Sequence, residues 1–121
     1  MKKSIIGAGV VAAMSLTSAA SAAESLAFPR VKLRNHLTSV YTCAGGAKLT
    51  VSYSNTVDGQ SFAVVPIHGK TFVMVNTLAA SGAKYQADRY IWWTKGPRAD
   101  LYDATAGENG PPILANCTSS K

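Results

Sequence analysis

Two cysteines, two histidines and six carboxylates hold most of the reactive chemistry available to this 121-residue sequence. Nucleophilic hydrolysis needs a serine or cysteine beside a base, and neither His36 nor His68 has an evident serine or aspartate partner. Glycoside cleavage needs two carboxyl groups with separated pKa values. Glu24 sits in an N-terminal arm, while Asp58, Asp88, Asp100, Asp103 and Glu108 fall in or near turns, so they are expected to be solvated. Cys43, Cys117 and the histidines lack metal-ligand spacing. Ala44-Gly45-Gly46 opens no helix and lacks the lysine and hydroxyl pair of a phosphate loop, so it reads as a hairpin turn. No enzymatic activity, metal or cofactor is expected.

The segment from Ala79 to Leu101 carries the most information, because both tryptophans and several polar groups fall within it. Lys84-Tyr85 and Tyr90 to Thr94 read as strands flanking Gln86-Ala87-Asp88-Arg89. A four-residue loop there pairs Tyr85 with Tyr90 and sets Ser81 opposite Thr94 and diagonal to Lys95. A hydroxyl and an ammonium then converge at the open end of the hairpin. Strict alternation puts Lys95 on the face opposite Thr94, so this convergence requires the Gly96-Pro97 turn to release Lys95 from the ladder. One tryptophan is expected in the core and the other at the surface.

These groups need a scaffold, and the surrounding pattern has period two. Leu49, Val51 and Tyr53 alternate with Thr50 and Ser52. Val40 to Cys43, Phe62 to Ile67, Thr71 to Val75, Ala99 to Tyr102 and Ile113 to Cys117 are further short runs of strand type. His68-Gly69-Lys70 and Asn55 to Gly59 are turns, and Gly107 to Pro112 is a surface loop. Helical periodicity is absent after the first residues. The expected fold is all-β, a small antiparallel barrel or sandwich whose closure removes exposed edges. Pro66 donates no ladder hydrogen bond and should mark an edge or a bulge.

Met1-Lys2-Lys3, the apolar run Ser4 to Leu16 and the small-x-small site Ala20-Ser21-Ala22 form a secretory signal peptide, expected over residues 1–22. The apolar run is shorter than the roughly 20 residues that cross a bilayer as a helix. No cysteine stands at the cleavage point to be acylated, so no lipid anchor is expected. Lys2 and Lys3 leave with the leader, which takes the net charge from +6 to +4. Residues 23–36 read as a mobile or loosely docked arm, and the folded domain as 37–121. The basic stretch Arg30-Val31-Lys32-Leu33-Arg34 is expected to be a solvated tail, the alternative being contact with anionic cell-wall polymers or membrane surfaces. Export delivers the only two cysteines to an oxidising compartment, so Cys43 and Cys117 should form a disulfide. Closing that loop stabilises a small domain by roughly 4 kcal/mol.

Tyr41-Thr42-Cys43-Ala44-Gly45-Gly46, Leu49-Thr50-Val51-Ser52-Tyr53, Ser81-Gly82-Ala83-Lys84-Tyr85 and Trp93-Thr94-Lys95-Gly96 closely resemble the bacterial inhibitors of C-type lysozyme, the MliC/PliC family. The resemblance spans about Val40 to Cys117, and the missing lipid-attachment cysteine is similar to the soluble periplasmic branch. It implies a β-barrel of about eight strands and a loop that enters the enzyme's cleft. There Ser81 would hydrogen-bond a catalytic carboxyl in either protonation state, and Lys95 would pair with a carboxylate. Gly82 would permit close backbone approach, Tyr85 would add contact area or buttress the loop, and Lys84 joins them as an expected contact. The implied partner is a C-type lysozyme, with a homodimer plausible from the family's soluble members and no nucleic acid, because the chain is exported. The implied role is protection of peptidoglycan in the periplasm, an evasion of host defence. A periplasmic glycan-binding module, with Trp92 or Trp93 as a stacking platform, is the alternative reading; a purely structural envelope protein is the third.

Overall fold

The computed structural model describes residues 7–16 and 23–120. The expected cleavage site Ala20-Ser21-Ala22 lies outside the described residues. Eight strands follow one another around a closed antiparallel barrel: β1 (Leu33–Thr42), β2 (Lys48–Thr56), β3 (Ser61–Ile67), β4 (Lys70–Thr77), β5 (Ala83–Ala87), β6 (Tyr90–Lys95), β7 (Arg98–Asp103) and β8 (Leu114–Ser120). Each strand pairs with its sequence neighbour, and β8 returns to pair with β1. All eight expected strands are present, and the barrel rather than the sandwich is the outcome.

Alternation sorts the side chains. Tyr41, Leu49, Val51, Tyr53, Ala63, Val65, Ile67, Met74, Tyr85, Trp92, Ala99 and Leu101 point inward and are buried. Burying an indole requires a partner for its N–H. Trp92 Nε1 donates to the Tyr53 hydroxyl at 2.8 Å, and the Tyr53 and Tyr41 hydroxyls hydrogen-bond at 2.7 Å. The Tyr41 ring meets Trp92 edge-on at 5.1 Å. This polar chain inside an apolar barrel fixes the stacking of β1, β2 and β6. Burial drives the Tyr53 phenol well above its ordinary pKa and raises that of Tyr85 in the same direction.

The Cys43–Cys117 disulfide forms as expected, with the cysteines 74 residues apart in sequence. It lies beside the β1–β8 seam, where, among the described residues, Val40, Tyr41 and Thr42 pair with Ser120, Ser119 and Thr118. Pro66 also behaves as expected: the β2–β3 ladder ends at the Ser52 and Val64 pair, before the proline is reached.

Two local readings change. β1 begins at Leu33 rather than near Leu37, so the last residues of the expected arm are strand. The β2 strand runs to Thr56 and supplies a partner for Leu33, which alternation in β1 alone did not reveal. The second change concerns the β5–β6 hairpin, where Ala87 pairs with Tyr90 and Tyr85 with Trp92. Its loop is the two residues Asp88-Arg89, because Asp88 adopts a positive φ of 51°, a conformation that aspartate tolerates. The register is therefore tighter than the expected four-residue loop, and Ser81 lies beyond the ladder instead of facing Thr94.

Candidate functional site

The β4–β5 loop and the β6–β7 turn share one end of the barrel, as antiparallel succession requires. Leu78 to Gly82 links β4 to β5, and Gly96-Pro97 links β6 to β7. Gly96 has φ +57°, the left-handed value that lets a two-residue turn hold Lys95 opposite Arg98. Lys95 thus stays in the ladder and is not released from it, contrary to the sequence expectation. Convergence with the Ser81 loop is achieved by a different route.

That route runs through Gly82 and Trp93. Gly82 has φ +66°, and a Cβ there would stand 2.1 Å from the Thr94 carbonyl oxygen and 2.9 Å from Lys95 Cγ. The loop backbone is therefore pressed directly onto β6 and the stem of Lys95, an approach only glycine permits. From the other side, Trp93 Nε1 donates to the Ser81 carbonyl at 2.9 Å. Thr94 Oγ1 donates to the Ala83 carbonyl at 3.2 Å. Ser81 is thus tied by its backbone carbonyl to Trp93, and its chain neighbour Gly82 packs on the Lys95 stem, which leaves the exposed Ser81 hydroxyl outside the tie.

Trp92 is the core tryptophan and Trp93 the surface one, as expected for the pair. Cations surround Trp93: Lys95 Nζ lies 4.8 Å and Lys84 Nζ 5.1 Å from the centre of a Trp93 ring. Arg98 and Asp100 share a groove of about 350 Å³ with Trp93 and Lys95. Asp100 is engaged, since its Oδ1 accepts the Asn116 N–H at 2.7 Å, and Arg98 donates to the Asn116 side chain. Asn116 itself takes a positive φ at the irregularity between β7 and β8. The rim is cationic, with Lys84, Lys95 and Arg98 gathered around one indole.

Each expected site residue can now be placed. Ser81, Gly82, Lys84 and Lys95 come together around Trp93. Tyr85 does not join them at the surface: it is buried, with its ring 5.6 Å from that of Tyr53. Sequence reasoning passed over Leu78, which is 98% exposed at the start of the same loop. Its signal was faint, an isolated leucine between a strand and a run of small residues, yet a fully exposed leucine beside a polar cluster has the form of an interface anchor.

Fold and rim together define a class: a small, disulfide-closed β-barrel that holds a polar loop rigidly against a lysine at one end. Comparison with known proteins gives that class a family. Residues 41–109 match the family described as membrane-bound lysozyme-inhibitor of c-type lysozyme. The membrane-bound lysozyme inhibitor of C-type lysozyme from Cupriavidus necator is 41% identical over 108 residues, covering 89% of this chain and 86% of the relative. The Pseudomonas aeruginosa protein of the same description is 53% identical over 70 residues, 56% of this chain and 54% of its own. Among solved structures, Pseudomonas aeruginosa MliC in complex with hen egg white lysozyme superposes with a TM-score of 0.65 at 40% identity, covering 83% of this chain and 98% of that one. The periplasmic inhibitor PliC-St of Salmonella typhimurium follows at 0.62 and 31%, covering 72% and 100%. The chain belongs to this family of inhibitors of C-type lysozyme.

Proposed function

We propose that this chain, exported to the periplasm by a cleaved signal peptide, is a proteinaceous inhibitor of C-type lysozyme and protects peptidoglycan from lysis. The observation that carries the reading is the junction of Ser81, Gly82 and Lys95, preset by a contact that no other residue type at position 82 allows. A lysozyme of this class works with one protonated and one ionised carboxyl group in a cleft. The Ser81 hydroxyl donates to one of them or accepts from it as its protonation state demands, and the Lys95 ammonium pairs with the ionised one. Lys84 and Arg98 reinforce the local positive potential that an acidic cleft attracts. Tyr85 buttresses the hairpin from within the barrel, and Leu78 supplies apolar contact at the loop's leading edge.

Pre-organisation is the physical advantage of this design. A loop already fixed by Trp93 and Thr94 loses little conformational freedom on binding, so more of each contact survives as affinity. The rival reading, a glycan-binding module with a tryptophan platform, is less well served. Trp92 is wholly buried, and Trp93 has two ammonium groups by its indole and its N–H already committed.

The test is the clearing of a bacterial cell-wall suspension by a C-type lysozyme, followed by turbidity with and without the purified, disulfide-bonded protein. Inhibition at stoichiometric amounts is expected, and Ser81→Ala should weaken it. Unchanged clearing with several C-type lysozymes would refute the reading and promote glycan binding in its place.

A further inference from the structure

A second surface lies elsewhere on the barrel wall and takes no part in the rim just described. Outward-facing residues of β3 and β4 pair as an apolar ladder, Phe62 with Val75 and Val64 with Val73. The segment before β1 approaches this face. Leu26, Phe28, Val31 and Leu33 line one groove with Phe62, Val64 and Val73, enclosing about 300 Å³. The segment is positioned rather than loose: Val31 N–H donates to the Phe28 carbonyl across a turn at Pro29-Arg30, and Val57 N–H donates to the Lys32 carbonyl. Despite this order its apolar groups stay in water. Leu26 is 71%, Phe28 56% and Leu33 54% exposed, with Val57, Val73 and Val75 about half exposed nearby.

An exposed apolar patch of this kind marks an interaction site, and its surroundings identify the chemistry. Arg30, Lys32 and Arg34 alternate with Val31 and Leu33 along the segment, and Glu24 is the only acid between residues 23 and 36. A second copy of the chain would bring the same excess of positive charge to the contact and be repelled. A neutral apolar partner would leave the cations without counter-charge. An anionic phospholipid surface satisfies both components, because apolar side chains enter the headgroup boundary while lysine and arginine remain at the phosphates. We infer that this face, centred on Leu26, Phe28, Arg30 and Lys32, binds the protein reversibly to anionic membrane surfaces. The inference goes beyond lysozyme inhibition and does not depend on it.

The test is co-sedimentation of the exported, purified protein with vesicles of phosphatidylethanolamine containing phosphatidylglycerol, against vesicles of phosphatidylcholine alone. Binding is expected only to the anionic vesicles and should be released by high salt. Each basic residue near such a surface contributes about fivefold in partitioning, the equivalent of roughly 1 kcal/mol. Arg30→Ser with Lys32→Ser should therefore weaken binding about 25-fold, and Leu26→Ser with Phe28→Ser by about tenfold or more. All four side chains are exposed, so thermal unfolding should be unchanged in both double variants and thereby confirms their fold. Absence of sedimentation with the anionic vesicles overturns the proposal, as does binding that neither double variant reduces. Light scattering on the same samples provides a further check: a dimer that disappears in Leu26→Ser with Phe28→Ser, without vesicle binding by the parent, reassigns the face to a second copy.

Discussion

Replacing Gly82 by alanine adds one methyl group at the point where the site is assembled. Two costs follow. A positive φ of 66° is unfavourable for a residue with a Cβ by about 1–2 kcal/mol. The new carbon would also stand 2.1 Å from the Thr94 carbonyl oxygen, where ordinary contact begins at 3.4 Å, so loop and strand must separate by about 1.3 Å. Forcing such a shift in a packed structure costs about 1–3 kcal/mol more. Thermal unfolding should therefore fall by about 10 °C or more, taking 4–8 °C per kcal/mol for a domain of this size. Because the displaced segment carries Ser81 and the obstructed stem is that of Lys95, the inhibition constant for lysozyme should rise at least about tenfold in protein that remains folded at the assay temperature. Gly96→Ala is the matched control. Gly96 has nearly the same φ, +57°, but nothing within 4 Å of its added Cβ, so it carries only the conformational cost. Equal effects of the two substitutions on unfolding and inhibition would refute the claim that close packing at Gly82 sets the site.

Other outcomes can be checked on the same preparation. Lys95→Ala should weaken inhibition at least about tenfold, because truncating one member of a desolvated charge pair costs roughly 2–5 kcal/mol; an unchanged inhibition constant removes that role. Leu78→Ser should reduce affinity for lysozyme about tenfold and leave the unfolding midpoint in place, since the side chain is almost fully exposed in the free protein. Substituting both Cys43 and Cys117 by serine should lower stability by about 4 kcal/mol in denaturant titrations. Alkaline stability gives a separate test of the core. Tyr53 and Tyr85 hold their protons above the ordinary tyrosine range in the barrel, whereas unfolded tyrosines ionise near about pH 10. The unfolded state then sheds protons that the native state retains, so stability from these groups is intact below about pH 10 and declines above it. Phenolate absorbance from Tyr53 should appear only as the barrel opens, and its appearance in the folded protein would contradict the buried network.

The strands were legible because inward and outward residues alternate so cleanly, as in Leu49-Thr50-Val51-Ser52-Tyr53. Their closure into a barrel was less direct, since the β1–β8 pairing is non-local: the strand pattern left barrel and sandwich open, and the family resemblance pointed to the barrel. Hairpin register was the weakest point. Alternation is preserved by a shift of two residues, so Tyr85 against Tyr90 and Tyr85 against Trp92 are equally consistent with the pattern. The decision came from Asp88 in a left-handed conformation, which its residue type permits without announcing. In the candidate site, Ser81 and Lys95 were singled out through motifs, while the packing that brings their loop and strand together was hidden. Contact between Gly82 and the Thr94 carbonyl involves no side chain at position 82, and a sequence shows an absent Cβ only as one more glycine. Leu78 escaped for the opposite reason, because solvent exposure of an apolar loop residue leaves no periodic trace.

The short β1–β8 seam governs the order in which this molecule can be made. Every other ladder joins strands adjacent in the chain, so each can nucleate as a local hairpin with a small loop to close. The seam must instead bring together segments separated by almost the whole domain, and the three residue pairs among the described residues are a modest reward for that search. It is therefore expected to close last. Thiol oxidation, which requires Cys43 beside Cys117, then acts after the topology is complete and serves as a latch rather than a guide. Chains whose thiols are still reduced should therefore already be nearly native, with the short seam between the first and last strands as their weakest point.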